Sequence, residues 1–127
     1  MQSKVRPLMM KIQGEFDPLA VVIDWLDACR SGGLVVLLDL YDDLAILECD
    51  CERVSLTGRH AIAAYWALKL ETKQLAAFTL DNMALTDEGV RIDYQSYEDK
   101  PVRIHFRFGP SGKILHTRCR SLELCTI

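Results

Sequence analysis

The strongest constraint on this chain is a change of hydrophobic period near its middle. Up to about Thr72 helical spacing of apolar residues dominates, interrupted by one strand-like stretch over Leu44–Leu56, and from Ala76 onward apolar residues alternate with polar ones. Four segments alternate like strands: Ala77–Leu85, Val90–Tyr97, Val102–Phe108 and Ile114–Leu122. Between them lie Asp87-Glu88-Gly89, Glu98-Asp99-Lys100-Pro101 and Gly109-Pro110-Ser111-Gly112, all hairpin-sized and of turn composition. Strands joined by hairpins pair antiparallel, and helices gathered ahead of such a sheet cover one of its faces. The pattern predicts an α+β fold, a curved antiparallel β-sheet wrapped around N-terminal helices.

The helical half is punctuated clearly. Asp17 can cap a helix by accepting a backbone N–H, and Pro18 loses nothing at the first helical position. Phe16 and Val21 have the spacing of a hydrophobic staple. Leu19, Val22, Ile23 and Leu26 form one stripe, widened by Val21, Trp25, Ala28 and Cys29, until Ser31-Gly32-Gly33 stops the helix. So broad an apolar surface places this helix centrally. A second, short helix is expected over Leu34–Tyr41, ending near Asp42-Asp43. A strand follows over Leu44–Cys51 with a hairpin partner at Arg53–Leu56. Thr57-Gly58 opens a third helix, with Thr57 as its expected cap and Ile62, Tyr65, Trp66, Lys69 and Leu70 at helical spacing. Met1–Gly14 reads as a loosely docked arm.

Composition bounds the setting. The 127 residues carry a net charge of -3, with 50% apolar and 26% charged residues, which is the profile of a single domain spanning 1–127. The longest apolar run, Ala61–Leu68, falls far short of the roughly 20 residues a membrane span needs, so no membrane partner is expected. No stretch of signal-peptide length follows Lys4, Arg6 and Lys11. Five cysteines, an odd number at low density, argue for reduced thiols in a cytoplasmic protein. The acidic balance argues against nucleic acid.

Four segments in this order resemble the nuclear-transport-factor-2-like (NTF2-like) superfamily, and within it the SnoaL-like and ketosteroid-isomerase-like proteins. They are Trp25-Leu-Asp-Ala-Cys-Arg-Ser-Gly-Gly-Leu34, Leu38-Asp-Leu-Tyr-Asp-Asp-Leu-Ala45, Leu56-Thr-Gly-Arg-His-Ala-Ile62 and Ile104-His-Phe-Arg-Phe-Gly-Pro-Ser-Gly-Lys-Ile114. The resemblance covers roughly Asp17–Leu122. It implies a cone-shaped, cystatin-like architecture with an apolar cavity, commonly a homodimer joined through the outer sheet face. Fold alone assigns no reaction. Carried over without gaps, the isomerases' first-helix Tyr falls at Trp25, their carboxylate base at Cys49 and their proton-donating Asp at Ile104. None of the three matches, so steroid isomerisation is not expected.

Several other groups have both a functional and a structural reading. Cys49 and Cys51, two apart on a strand, point the same way, with Glu48, Asp50 and Glu52 opposite. They are either a reactive thiol at the cavity floor or small buried apolar residues, and nearby carboxylates would raise a thiol pKa. Cys29, Cys119 and Cys125 have no partner pattern. His60, in the first turn of the third helix, suits a neutral, partly buried role. Arg103, His105 and Arg107, with His116, Arg118 and Arg120 on the next strand, form a basic face. It can hold an anion, or it can be a solvated or dimer-facing surface paired with Asp93 and other carboxylates. On the opposite face Ile92, Tyr94, Val102, Ile104, Phe106, Phe108, Leu115, Thr117 and Cys119 either line a pocket or fill a core.

The expected ligand-binding set is Trp25, Asp39, Tyr41, Cys49, His60, Tyr65, Trp66, Phe78, Tyr94, Ile104, Phe106 and Cys119. The expected ligand is an unidentified small apolar or aromatic molecule, with isomerase- or dehydratase-type proton transfer as the class of any chemistry. No metal or cofactor is expected. The alternative is a noncatalytic dimerisation or protein-interaction module with a filled core.

Overall fold

The Asp17 carboxylate accepts the backbone N–H of Leu19 at 3.0 Å, Pro18 follows it, and Gly32 ends the helix in the left-handed conformation. The first helix, α1, therefore spans Pro18–Ser31, as its punctuation predicts. This is seen in a computed structural model that describes residues 17–50 and 52–123. Phe16, the Met1–Gly14 arm, Cys51 and Cys125 lie outside the described residues. The buried stripe of α1 is Val22, Trp25, Leu26, Ala28 and Cys29, whereas Ile23, placed on the stripe by its spacing, is exposed.

The second helix is shorter than expected. α2 covers Leu34–Asp39, and Tyr41 begins the first strand, β1 (Tyr41–Cys49). The reason is a bulge: the register of β1 shifts between Tyr41 and Ile46, and Asp42 accepts the Leu44 N–H at 2.9 Å. A bulge breaks strict alternation, leaves Leu44 exposed, and makes Asp42-Asp43 look like a turn. The remaining elements are β2 (Val54–Thr57), α3 (Arg59–Glu71), β3 (Leu80–Leu85), β4 (Gly89–Gln95), β5 (Pro101–Phe108) and β6 (Ile114–Ser121). Thr57 ends β2 instead of capping α3; Gly58 takes the cap position with no side-chain bond. β3 starts three residues later than the alternation suggests, because Phe78 adopts a left-handed φ of 65° in the preceding turn.

The strands form one curved, open sheet in the order β2-β1-β6-β5-β4-β3. All neighbours are antiparallel except β1 and β6, which run parallel and bring Cys49 opposite Cys119. Among the described residues the three helices are α1, α2 and α3; α1 packs on β4 and α3 on β1 and β2. No described helix is long and apolar enough to cross a membrane.

The core between the layers centres on Trp25, which is fully buried. Its indole meets Trp66, Phe78, Tyr94 and Phe106 edge-on, with centroids 5.2–6.2 Å apart. That is the favoured geometry for rings whose edges are positive and faces negative. The Tyr41 hydroxyl, also fully buried, accepts from both Trp25 Nε1 (3.1 Å) and Trp66 Nε1 (3.2 Å). One oxygen thus satisfies two indoles from different helices.

Candidate functional site

At the end of the sheet where β1 stops, the core does not close. A pocket of about 250 Å³ opens there between α3, the end of β1, the β4–β5 turn and β6. Its apolar wall is Trp66, Phe78, Tyr94 and Val102. Phe78 keeps its strained backbone because Arg30 Nε donates to its carbonyl at 3.0 Å and its own N–H donates to Gln95 at 2.6 Å. Its ring stacks on Tyr94 at 5.9 Å, fixing that wall.

The polar corner comes from one turn of α3 and from the β1–β2 turn. Tyr65 and Lys69 stand four residues apart and so share a helix face. Beyond Cys49 the chain leaves the sheet and curls back, which brings Glu52 to that face. The Tyr65 hydroxyl donates to Glu52 Oε1 at 2.7 Å, and Lys69 Nζ donates to Oε2 at 2.7 Å. The ammonium also lies over the rings of Tyr65 (4.4 Å) and Tyr97 (4.1 Å), a cation–π arrangement on both sides.

These contacts set the charges. Burial pushes the Glu52 carboxyl up, but the bonds from Lys69 and Tyr65 and the Lys69 charge outweigh it and hold it below its ordinary value. Burial likewise pulls Lys69 down, and the bond to Glu52 with its charge carries it above the ordinary range. The corner is a fixed carboxylate–ammonium pair. Burial and the bond to Glu52 raise the Tyr65 hydroxyl far above its usual range, so it remains a donor.

Cys49 sits next to this corner. Its thiolate accepts a hydrogen bond from Cys119, which outweighs burial, and the Glu52 backbone N–H adds to the effect; the pKa falls to about 7. Cys119 moves the opposite way, held protonated by its bond to Cys49 and by burial. Glu52 raises the Cys49 pKa through its charge and its side-chain bond, as expected of a nearby carboxylate, and the bond from Cys119 with the Glu52 backbone N–H brings the net value down. Iodoacetamide labelling of Cys49 should rise at a lower pH than that of an ordinary thiol. In Cys119→Ala the midpoint should move up toward ordinary thiols; an unmoved midpoint in peptide mapping would contradict the pairing.

Similarity appears at the level of structure and not of sequence. No family model matches the sequence, and no curated protein matches it. A SnoaL-like protein of unknown function from Burkholderia thailandensis superposes with a TM-score of 0.75 at 19% identity, over 82% of this chain and 93% of that one. Bal32a, from a soil-derived mobile gene cassette, superposes at 0.71 and 20% identity over 84% and 90%. A candidate polyketide cyclase from Sinorhizobium meliloti gives 0.66 at 14% identity over 82% and 99%. The chain has the NTF2-like fold.

Within this NTF2-like fold the expected residues separate into three groups. Cys49, Tyr65, Trp66, Phe78, Tyr94 and Cys119 line the pocket. Trp25, Tyr41 and Phe106 are buried in the core behind it, and Ile104 walls a small recess beside it. Asp39 and His60 are exposed and do not line it; the Asp39 carboxylate pairs with Lys113 at 3.7 Å, and the buried role expected for His60 is corrected. Of the positions aligned with isomerase residues, Trp25 commits its N–H to Tyr41 and is turned away from any ligand.

Glu52, Lys69 and Tyr97 were missed by sequence reasoning. Alternation assigned Glu52 to the face opposite Cys49, but alternation ends with the strand. The basic face is interleaved with acids: Arg103 binds Asp93 at 2.7 Å, His116 meets Glu48 at 2.6 Å and Arg118 meets Asp50 at 3.2 Å. Among these, the bond from Arg103 holds Asp93 below its ordinary value. Burial and the charges of Arg103, Arg91 and Arg120 keep His105 on the neutral side.

Proposed function

We propose that this protein binds a compact, mainly apolar or aromatic small molecule in the pocket beside α3, with the ligand's outer polar group at the Glu52–Lys69 corner. The observation that carries this reading is the pre-organised Glu52–Tyr65–Lys69 cluster at one end of an aromatic-walled pocket. A few fixed polar groups in an otherwise apolar pocket are what orient a small ligand. Where the ligand bears an acidic C–H or a hydroxyl, Glu52 is the acceptor for its proton and Lys69 the donor that stabilises the resulting oxyanion. This is proton-transfer chemistry of the isomerase or dehydratase type on residues other than those of the ketosteroid isomerases. The open pocket weighs against a filled-core interaction module. The outer sheet face, whose charges are balanced by ion pairs within the chain, is the surface on which two copies would associate. The odd cysteine count supports a cytoplasmic setting.

Native mass spectrometry of freshly purified protein under reducing conditions tests both parts. The expected species is a dimer carrying extra mass that denaturation removes. A monomer overturns the dimer. Bare protein that also leaves the NMR signals of small aromatic probes unchanged overturns the ligand reading.

A further inference from the structure

Thr117 stands on the inner face of β6, 1% exposed, and its hydroxyl has no hydrogen-bond partner. Native interiors rarely leave a buried hydroxyl unpaired. This one borders a recess of about 20 Å³ whose walls include Leu47, Glu48, Tyr65, Trp66, Tyr94 and Cys119. A space of that size admits one water-sized atom. Tyr65, Trp66, Tyr94 and Cys119 also wall the larger pocket, so the recess adjoins its inner end.

The neighbouring polar groups are committed elsewhere. Tyr65 donates to Glu52, Trp66 donates to Tyr41, and the Glu48 carboxylate meets His116 at 2.6 Å. A partner for Thr117 has to enter from the pocket. We propose that Thr117 is the inner polar contact of the ligand, and that the ligand is a flat apolar ring bearing one neutral oxygen, a phenol hydroxyl or a ring carbonyl. No cation lines this recess, so a carboxylate would be desolvated there without a counter-ion. The oxygen meets Thr117, the ring lies between Trp66 and Tyr94, and the outer end reaches the Glu52–Lys69 corner. This inference rests on the ligand-binding reading above and adds the chemical class.

The test is binding of p-cresol, toluene and p-toluate to the full chain, followed by ligand-observed NMR and calorimetry. Wild type should bind p-cresol about tenfold more tightly than toluene, the effect of pairing one otherwise orphaned buried group, and p-toluate more weakly than p-cresol. Thr117→Val should bring p-cresol down to the level of toluene while leaving toluene unchanged, and Thr117→Ser should keep the preference. The unchanged toluene affinity also shows that the variant pocket is intact. A p-cresol preference that survives in Thr117→Val overturns the assignment. Equal affinities in wild type also overturn it, since the hydroxyl then carries only a water. If no probe binds wild type at millimolar concentration, the ligand-binding reading itself fails and takes this inference with it.

Discussion

Tyr41→Phe is expected to destabilise the protein by about 2–6 kcal/mol, although it removes a single oxygen, because it orphans two buried donors at about 1–3 kcal/mol each. The Trp25 and Trp66 N–H groups both point at that oxygen from within the core. Burial pushes the Tyr41 hydroxyl well above its ordinary range, so at neutral pH it is a protonated phenol whose oxygen accepts from both indoles. The aromatic ring of the variant preserves the packing, which separates the hydrogen-bond loss from a cavity effect. Urea unfolding should show a lower midpoint with an unchanged slope. Adding Trp66→Phe removes one orphaned donor, so the double variant should lose less than the sum of the single losses. A Tyr41→Phe loss under about 0.5 kcal/mol, the scatter of neutral surface changes, would show that the two bonds are not made in solution.

The same residue shows where sequence reading succeeds and where it stops. Local signals placed both ends of α1: a capping Asp, a Pro and a Gly pair act within one turn of the helix ends. The last three hairpins were legible because their turns lie between alternating runs. Tyr41 was assigned to a helix, because a bulged strand start breaks the period on which the assignment depends. The pairing of β1 with β6 has no local signal at all. It joins residues about seventy positions apart, and it puts Cys49 against Cys119. The pocket was half legible for the same reason. Its ring-bearing wall follows from which strand residues face inward. Its charged corner depends on Glu52 turning back after β1 ends, which alternation cannot express. Lys69 looked like one more member of a helical stripe, and only its contact with Glu52 distinguishes it.

Lys69→Met tests that corner and is expected to have the second largest effect. Removing one member of a fully buried ion pair costs about 3–5 kcal/mol, because the other charge is left unpaired. Here the side chains are 11% and 35% exposed, and water reaching Glu52 reduces the expected loss to about 1–3 kcal/mol at neutral pH. Glu52→Gln/Lys69→Met should recover part of it, since neither charge then remains. The pH dependence has a definite sign. Glu52 titrates below its ordinary 4.5 in the folded protein, so its contribution is present above that value and is lost as pH falls through the folded pKa. Lys69 titrates above its ordinary 10.5, so its contribution holds below that value and is lost as pH rises through the folded pKa. Between these limits the pair is fully formed, and the stability difference between wild type and Lys69→Met should be flat. Below pH 4.5 the difference should shrink, because protonating Glu52 removes the orphaned charge in the variant and the pair in wild type. Denaturant unfolding from pH 3 to 8 reads this directly. A difference that keeps its neutral-pH value down to pH 3 would mean that Lys69 acts through its methylene packing and not through Glu52.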